Sequence, residues 1–161
     1  MPFWRIFYHF VWATVDRQPL IVPDVEPQLY GYIVGKADSL GCITHAIGGV
    51  EDHIHVVASI PPKLSLAGYV QHIKGGSAHH LNTNLMKEGV KFNWQRGYGV
   101  FSLDSKQVKR VVAYVLNQKQ HHQQGDIILA LEQEAAEDDG PTVWNNGEGI
   151  QGISVIEPNR F

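Results

Sequence analysis

Two short clusters hold side chains whose types and spacing could do chemistry. The first is Asp52-His53-Ile54-His55-Val56. Alternation along a strand points His53 and His55 to one face and Ile54 and Val56 to the other. Two neutral imidazoles on one face can bind a single metal ion, each through one ring nitrogen while a neighbour fixes the other. Two ligands alone do not close a site, and the bland reading is a pair of partly exposed strand histidines. The second cluster is Tyr114-Val115-Leu116-Asn117-Gln118. Residues i and i+4 share a helix face, so Tyr114 and Gln118 would lie side by side. A tyrosine there is a candidate nucleophile, or simply an amphipathic surface residue.

The elements that must position these clusters can be read from periodicity. Residues 3–15 are rich in aromatic and β-branched types and predict a strand. Asp24 can cap a helix to about Leu40, with Pro27 in its first turn and Gly41 at its stop. Residues 42–50 and 53–60 predict a hairpin, with Gly48-Gly49 and Glu51-Asp52 around its connection. Ser65 can cap a second helix to about Met86. Residues 98–103 predict a fourth strand, and Asp104 or Ser105 caps a third helix through about Gln124. Its apolar stripe is Val108, Val111, Val112 and Val115. The fold class is therefore α+β: a ferredoxin-like βαββαβ antiparallel sheet followed by a C-terminal helix that carries Tyr114. Residues 1–125 form the expected domain and 126–161 an acidic C-terminal tail. In the tail, 127–137 suggest a short helix and 138–152 a loop, with no chemistry evident.

Composition narrows the class. No run of about 18 apolar residues occurs, so no membrane span is expected. The N-terminus lacks a basic region and a cleavage site, and Cys42 is the single cysteine, which together suggest a reducing, cytoplasmic location. Formal net charge is -3, but it is unevenly spread. Eight of the 16 acids fall after Gly125 with one base, leaving residues 1–125 mildly basic and permissive for phosphate binding.

The combination of clusters is more specific than either part. A His-hydrophobe-His strand followed by a Tyr-x-x-x-Gln helix on this element order resembles the HUH single-tyrosine transposases, the small insertion-sequence enzymes and their REP-associated relatives. YHFVWATVDRQPLI, EDHIHVVASIPP, the stretch from Trp94 to Ser102 and VVAYVLNQKQHH lie in the family's order, covering roughly residues 3–123. The Tyr-x-x-x-Gln form is closer to the insertion-sequence branch.

The resemblance implies roles. His53 and His55 would ligate Mg2+ or Mn2+, with Gln118 supplying a third donor through its amide oxygen. Tyr114 would attack a phosphodiester in single-stranded DNA with hairpin ends, giving a 5′-phosphotyrosine, in a homodimer. Lys106, Lys109, Lys119 and His121 are loose candidates for a base. Asp52 and Glu51 would shape the turn or support the histidines. Arg5, Arg17, Lys63, Lys74, Arg96, Lys109 and Arg110 could meet phosphates. Trp94, with Trp4, Trp12 and Tyr69, could stack on unpaired bases. A histidine-triad hydrolase is disfavoured because Val57 stands where its next histidine is needed. The remaining rival is a catalytically silent hairpin-binding regulator derived from such a transposase.

Overall fold

The computed structural model describes residues 2–141. Four strands, β1 (Phe7–Ala13), β2 (Ile43–Val50), β3 (His53–Ser59) and β4 (Gly99–Leu103), form one sheet in the order β2-β3-β1-β4. Every neighbouring pair is antiparallel. Helices α1 (Glu26–Ser39) and α2 (Leu66–Asn84) cross one face, as the ferredoxin-like expectation requires. Among the described residues no helix is long and apolar enough to cross a membrane.

The two faces bury different things. Phe10 and Trp12 of β1 and Ile54, Val56 and Ala58 of β3 point into the main core with Leu29, Ile33, Tyr69 and Ile73 of the helices. Alternation then forces His9, Val11, His53 and His55 onto the opposite face. There α3 (Val108–Leu116) closes a smaller cluster in which Val111 and Val115 meet Ala46 and Val57. The two central strands are thus covered on both sides, and all seven residues of β3 are buried.

Local signals place the helices. Ser65 Oγ accepts from the Gly68 amide at 2.9 Å, the cap expected for α2. Gly41, at φ 76, stops α1 in a conformation that favours glycine. Three expectations shift. β1 is shorter than predicted, because residues before Phe7 have no partner strand within the described sheet. Asp24 does not cap α1, which begins after Val25 with no side-chain cap. Gly48 and Gly49 lie inside β2, and the turn is Glu51-Asp52 alone.

The third helix is also divided. α3 ends at Leu116, and α4 (Gln118–Gln124) follows after Asn117 at φ -106, ψ 25. The Asn117 side chain donates to the Ala113 carbonyl at 2.8 Å, a local bond that competes with helical pairing. Beyond Gly125 no α-helix forms over 127–137. A single 3-10 turn at Leu129–Leu131 leads instead to a bridge between Ala135 and Tyr98. Most of the loop expected over 138–152 lies outside the described residues.

Gly48 sets how close α3 comes to the sheet. A Cβ there would run into the carbonyl oxygen of Val115. Gly48→Ala is expected to push α3 outward and to cost about 1–3 kcal/mol, as overpacking does. Denaturant unfolding checks the cost. An unchanged midpoint would mean that α3 is not held by this contact.

Candidate active site

The two β3 histidines are buried, His53 at 2% exposure and His55 at 0%. Each has a different partner behind it. His53 Nδ1 donates to Asp52 Oδ1 at 2.6 Å. His55 Nδ1 faces His9 Nε2 at 2.8 Å, and the two rings stack with centroids 5.0 Å apart. Their outward Nε2 atoms converge: Glu132 Oε2 lies 3.1 Å from both.

Tyr114 comes in from α3, edge-on to His55 with centroids 5.9 Å apart. It is not on an exposed polar face; it is 4% exposed. Its hydroxyl donates to Glu132 Oε1 at 2.5 Å and accepts from the Ile128 amide at 3.1 Å. One carboxylate therefore touches both histidines and the phenol. Gln118 follows from α4 and is also buried. Its Nε2 donates to the Tyr114 carbonyl at 3.4 Å, and its Oε1 accepts from His122 Nε2 at 3.1 Å. His122 packs edge-on against His53, with centroids 4.8 Å apart.

Glu132 reaches the site because the segment after α4 folds back along the β4 edge. Side chains at Gly97 and Gly99 would collide with the backbone of Ala135 and Gln133, so these two glycines admit the segment. Glu134, on the same segment, lies 3.7 Å from Arg17, whose guanidinium is 3.9 Å from Asp52.

The electrostatics follow from burial and from this carboxylate. Burial resists charge on His53, but Glu132 and Asp52 outweigh it and its pKa is raised. For His55 burial dominates despite Glu132, and the pKa is lowered. Burial also lowers His9, with help from His55, to about 3. Burial opposes the charge on Glu132 too, yet His53, His55 and the phenol hold its carboxyl well below the usual range. Burial and the neighbouring Glu132 raise Tyr114, so its hydroxyl is protonated at neutral pH.

The family of IS200-like transposases matches residues 2–118. The chain belongs to that family. Transposases for insertion sequence element IS200 from Salmonella typhimurium and Salmonella typhi are each 29% identical to it over 132 residues, covering 76% of this chain and 83% of the relative. A crystal structure from Deinococcus radiodurans described as a transposase superposes with a TM-score of 0.58 at 21% identity, covering 73% of this chain and 95% of that one. A REP-associated tyrosine transposase bound to a REP hairpin gives 0.57 at 15% identity, covering 79% and 76%. At these identities the two structures show a shared fold.

In this IS200-like transposase the sequence-predicted residues separate into groups. His53, His55, Tyr114 and Gln118 are brought together. Arg17 and Lys74 border the same region, Lys74 donating to the Gln95 and Gly97 carbonyls at 2.6 and 2.8 Å. Arg5, Lys63, Lys109 and Arg110 are exposed and apart from it, while Arg96 pairs with Glu137 at 3.5 Å. Trp94 is half-buried, its indole donating to Ser77 Oγ at 2.9 Å. Trp12 and Tyr69 are core residues at 0% exposure, so neither offers a stacking face. Sequence reasoning missed His9, His122 and Glu132. His9 shares strand parity with Val11, a signal that was there to use; Glu132 carried none.

His9 predicts an acid limb in stability. Its pKa of about 3 lies below the ordinary 6.5, so the unfolded chain takes up the proton first. Its contribution is complete above about pH 6.5 and is lost as pH falls toward 3, at no more than about 1.4 kcal/mol per pH unit. Measured by denaturant unfolding in EDTA, the stability gap between the protein and His9→Leu should narrow as pH drops from 7 to 4. A gap independent of pH would show that His9 is not held neutral.

Proposed function

We propose that this transposase cleaves and rejoins single-stranded DNA at hairpin-marked ends through a 5′-phosphotyrosine on Tyr114, assisted by Mg2+ or Mn2+ at His53 and His55. The observation that carries this reading is the Tyr114 hydroxyl, held on a carboxylate whose other oxygen faces both imidazoles. The DNA substrate is supported by family membership and by the hairpin bound to the REP-associated neighbour.

The residues fit a divalent ion. With its Nδ1 on Asp52, His53 keeps a buried Nε2 that has no hydrogen-bond partner. Ligand atoms of His53, His122 and Glu132 lie within 4.8 Å of one another. The imidazoles suit a first-row divalent ion such as Mn2+, and the carboxylate and the positions left to phosphate oxygens suit Mn2+ or Mg2+. When bound, the ion would polarise the scissile phosphate and offset charge that builds on its oxygens. By the family resemblance Gln118 is the expected third donor.

The chain's own residues supply the rest. Tyr114 Oη attacks phosphorus, the P–O3′ bond breaks, and the 3′ oxygen leaves after taking up a proton. The phenol proton departs along the hydrogen bond to Glu132 as the ester forms and is passed on from that carboxyl to the departing 3′ oxygen, so the carboxylate is restored. Rejoining is the reverse attack by a 3′-OH, so the phosphodiester energy is kept and no water or ATP is consumed. Tyr114 meets the histidines of its own chain, which supports assembly in cis. The exposed Arg5, Lys63, Lys109 and Arg110 are available to phosphates. A homodimer working on chromosomal DNA in the cytoplasm is the setting this reading implies.

Labelled single-stranded DNA carrying the ends and flanks of the native locus tests it. With Mn2+ or Mg2+ the protein should form a denaturation-resistant adduct that Tyr114→Phe cannot form while still binding the hairpin. Hairpin binding with no adduct from the wild-type protein would transfer the assignment to the silent regulator.

A further inference from the structure

We infer that Arg17 is a phosphate ligand at the reacting centre, and that it takes the DNA phosphate next to the one Tyr114 attacks. This rests on the cleavage reading above and gives the strand beside Tyr114 a subsite of its own.

Arg17 is held in place by a strained backbone. Asp16 and Arg17 both lie at φ 51, a left-handed conformation that residues with a side chain rarely adopt. Two in succession persist only where the surroundings enforce them. Here they do. Thr14 Oγ1 donates to the Gln18 carbonyl at 2.6 Å, closing the loop on itself. The Thr14 and Ile21 amides donate to the Asp52 and Glu51 carbonyls at 2.8 and 2.9 Å. The loop after β1 is thus pinned to the turn that carries Asp52, and Arg17 is set beside His53. Strain kept at such a point marks a side chain with a task.

That side chain is placed without being satisfied. A guanidinium offers five N–H donors and stays charged. Among the described residues, the nearest partners of Arg17 are His53 Nδ1 at 3.5 Å, Glu134 Oε1 at 3.7 Å and Asp52 Oδ2 at 3.9 Å. His53 Nδ1 gives its own proton to Asp52, so it accepts nothing from Arg17. Both carboxylates stand well beyond the roughly 2.7–2.9 Å of a charge-assisted hydrogen bond. The side chain is 44% exposed and lines a cavity of about 870 Å3. Glu132, which holds the Tyr114 hydroxyl, lines the same cavity.

Glu134 is the contact that gives way to DNA. Its Oε2 is buried without a hydrogen bond, and its Oε1 meets Gln95 Nε2 only at 3.5 Å. A phosphate matches the planar fork of an arginine with two parallel bonds, which Glu134 does not make at 3.7 Å. Position then selects the phosphate. Arg17 lies on the Nδ1 side of His53, whereas Glu132 and the Tyr114 hydroxyl lie on the Nε2 side. The imidazole ring stands between them, so the guanidinium meets a neighbour of the attacked phosphorus.

The test places one methylphosphonate at a time in the single-stranded DNA of the adduct assay, at each phosphate flanking the scissile one and at others further away. A methylphosphonate replaces one charged oxygen by a methyl group. On unmodified DNA, Arg17→Ala should form the adduct at least about tenfold more slowly than wild type. That deficit should vanish when the methylphosphonate is at one of the two flanking phosphates, and persist when it is further away. Denaturant unfolding checks that the variant is folded. If it is not, Arg17→Lys keeps the charge, loses the fork and should show the same dependence on position. A deficit of equal size on every substrate would make Arg17 a structural residue and overturns the assignment, as does the absence of any deficit; the tyrosine mechanism stands in both cases. No adduct from wild-type protein on unmodified DNA overturns both.

Discussion

Polar rings that have to be buried are the constraint on which this site is built. β3 is covered on both sides, so His53 and His55 cannot turn to water, and every ring nitrogen must find a partner or remain a cost of about 1–3 kcal/mol. The fold sets polar groups against the rings, although His53 Nε2 and His9 Nδ1 make no hydrogen bond. Asp52 stands behind His53 and His9 behind His55, while Glu132 lies before both. The first two come from the turn and strand next to the pair. The third comes from about eighty positions further along, and this is why the segment after α4 belongs to the site rather than to a loose tail.

The same constraint explains the unequal faces of the sheet. α1 and α2 seal a large aromatic and aliphatic core that could hold almost any sheet together. α3 seals only a few residues, through Val111 and Val115 against Ala46 and Val57. That small contact fixes the height of Tyr114 above the histidines. Gly48 lets the helix backbone approach the strand, and Asn117 breaks the helix directly afterwards, so that Gln118 and His122 turn in toward the site.

What was legible in the sequence follows from the range of each signal. Strand alternation and helix capping act over a few residues, so the βαββαβ order and the shared face of His53 and His55 could be read directly. Tyr114 and Gln118 were found by spacing and resemblance, although the polar face assigned to the tyrosine is covered here. That cover is Glu132, one of many acids after Gly125, and neither periodicity nor composition sets it apart. His9 was hidden differently. It sits in an aromatic strand, where parity aligns it with Val11, but its partner His55 is separated by the whole first helix and hairpin. The break at Asn117 depends on a side-chain bond that helix propensity alone does not weigh against the valine stripe.

The two histidines are consequently not equivalent donors. Asp52 only accepts, so it takes the proton on His53 Nδ1, and with Glu132 it favours the charged form of that ring. His9 can accept or donate. With His55 Nε2–H on Glu132 at 3.1 Å, His9 donates to His55 Nδ1. Were His55 Nε2 instead to offer its pair outward, as the proposed metal-assisted reading requires, Nδ1 would carry the proton and His9 would accept it. A carboxylate in that position could serve only the second arrangement, and it would bring a charge into a fully buried site. A neutral imidazole serves both at the cost of leaving its own Nδ1 without a partner. Burial keeps His9 neutral across the physiological range, and neutrality is what makes it usable in either sense.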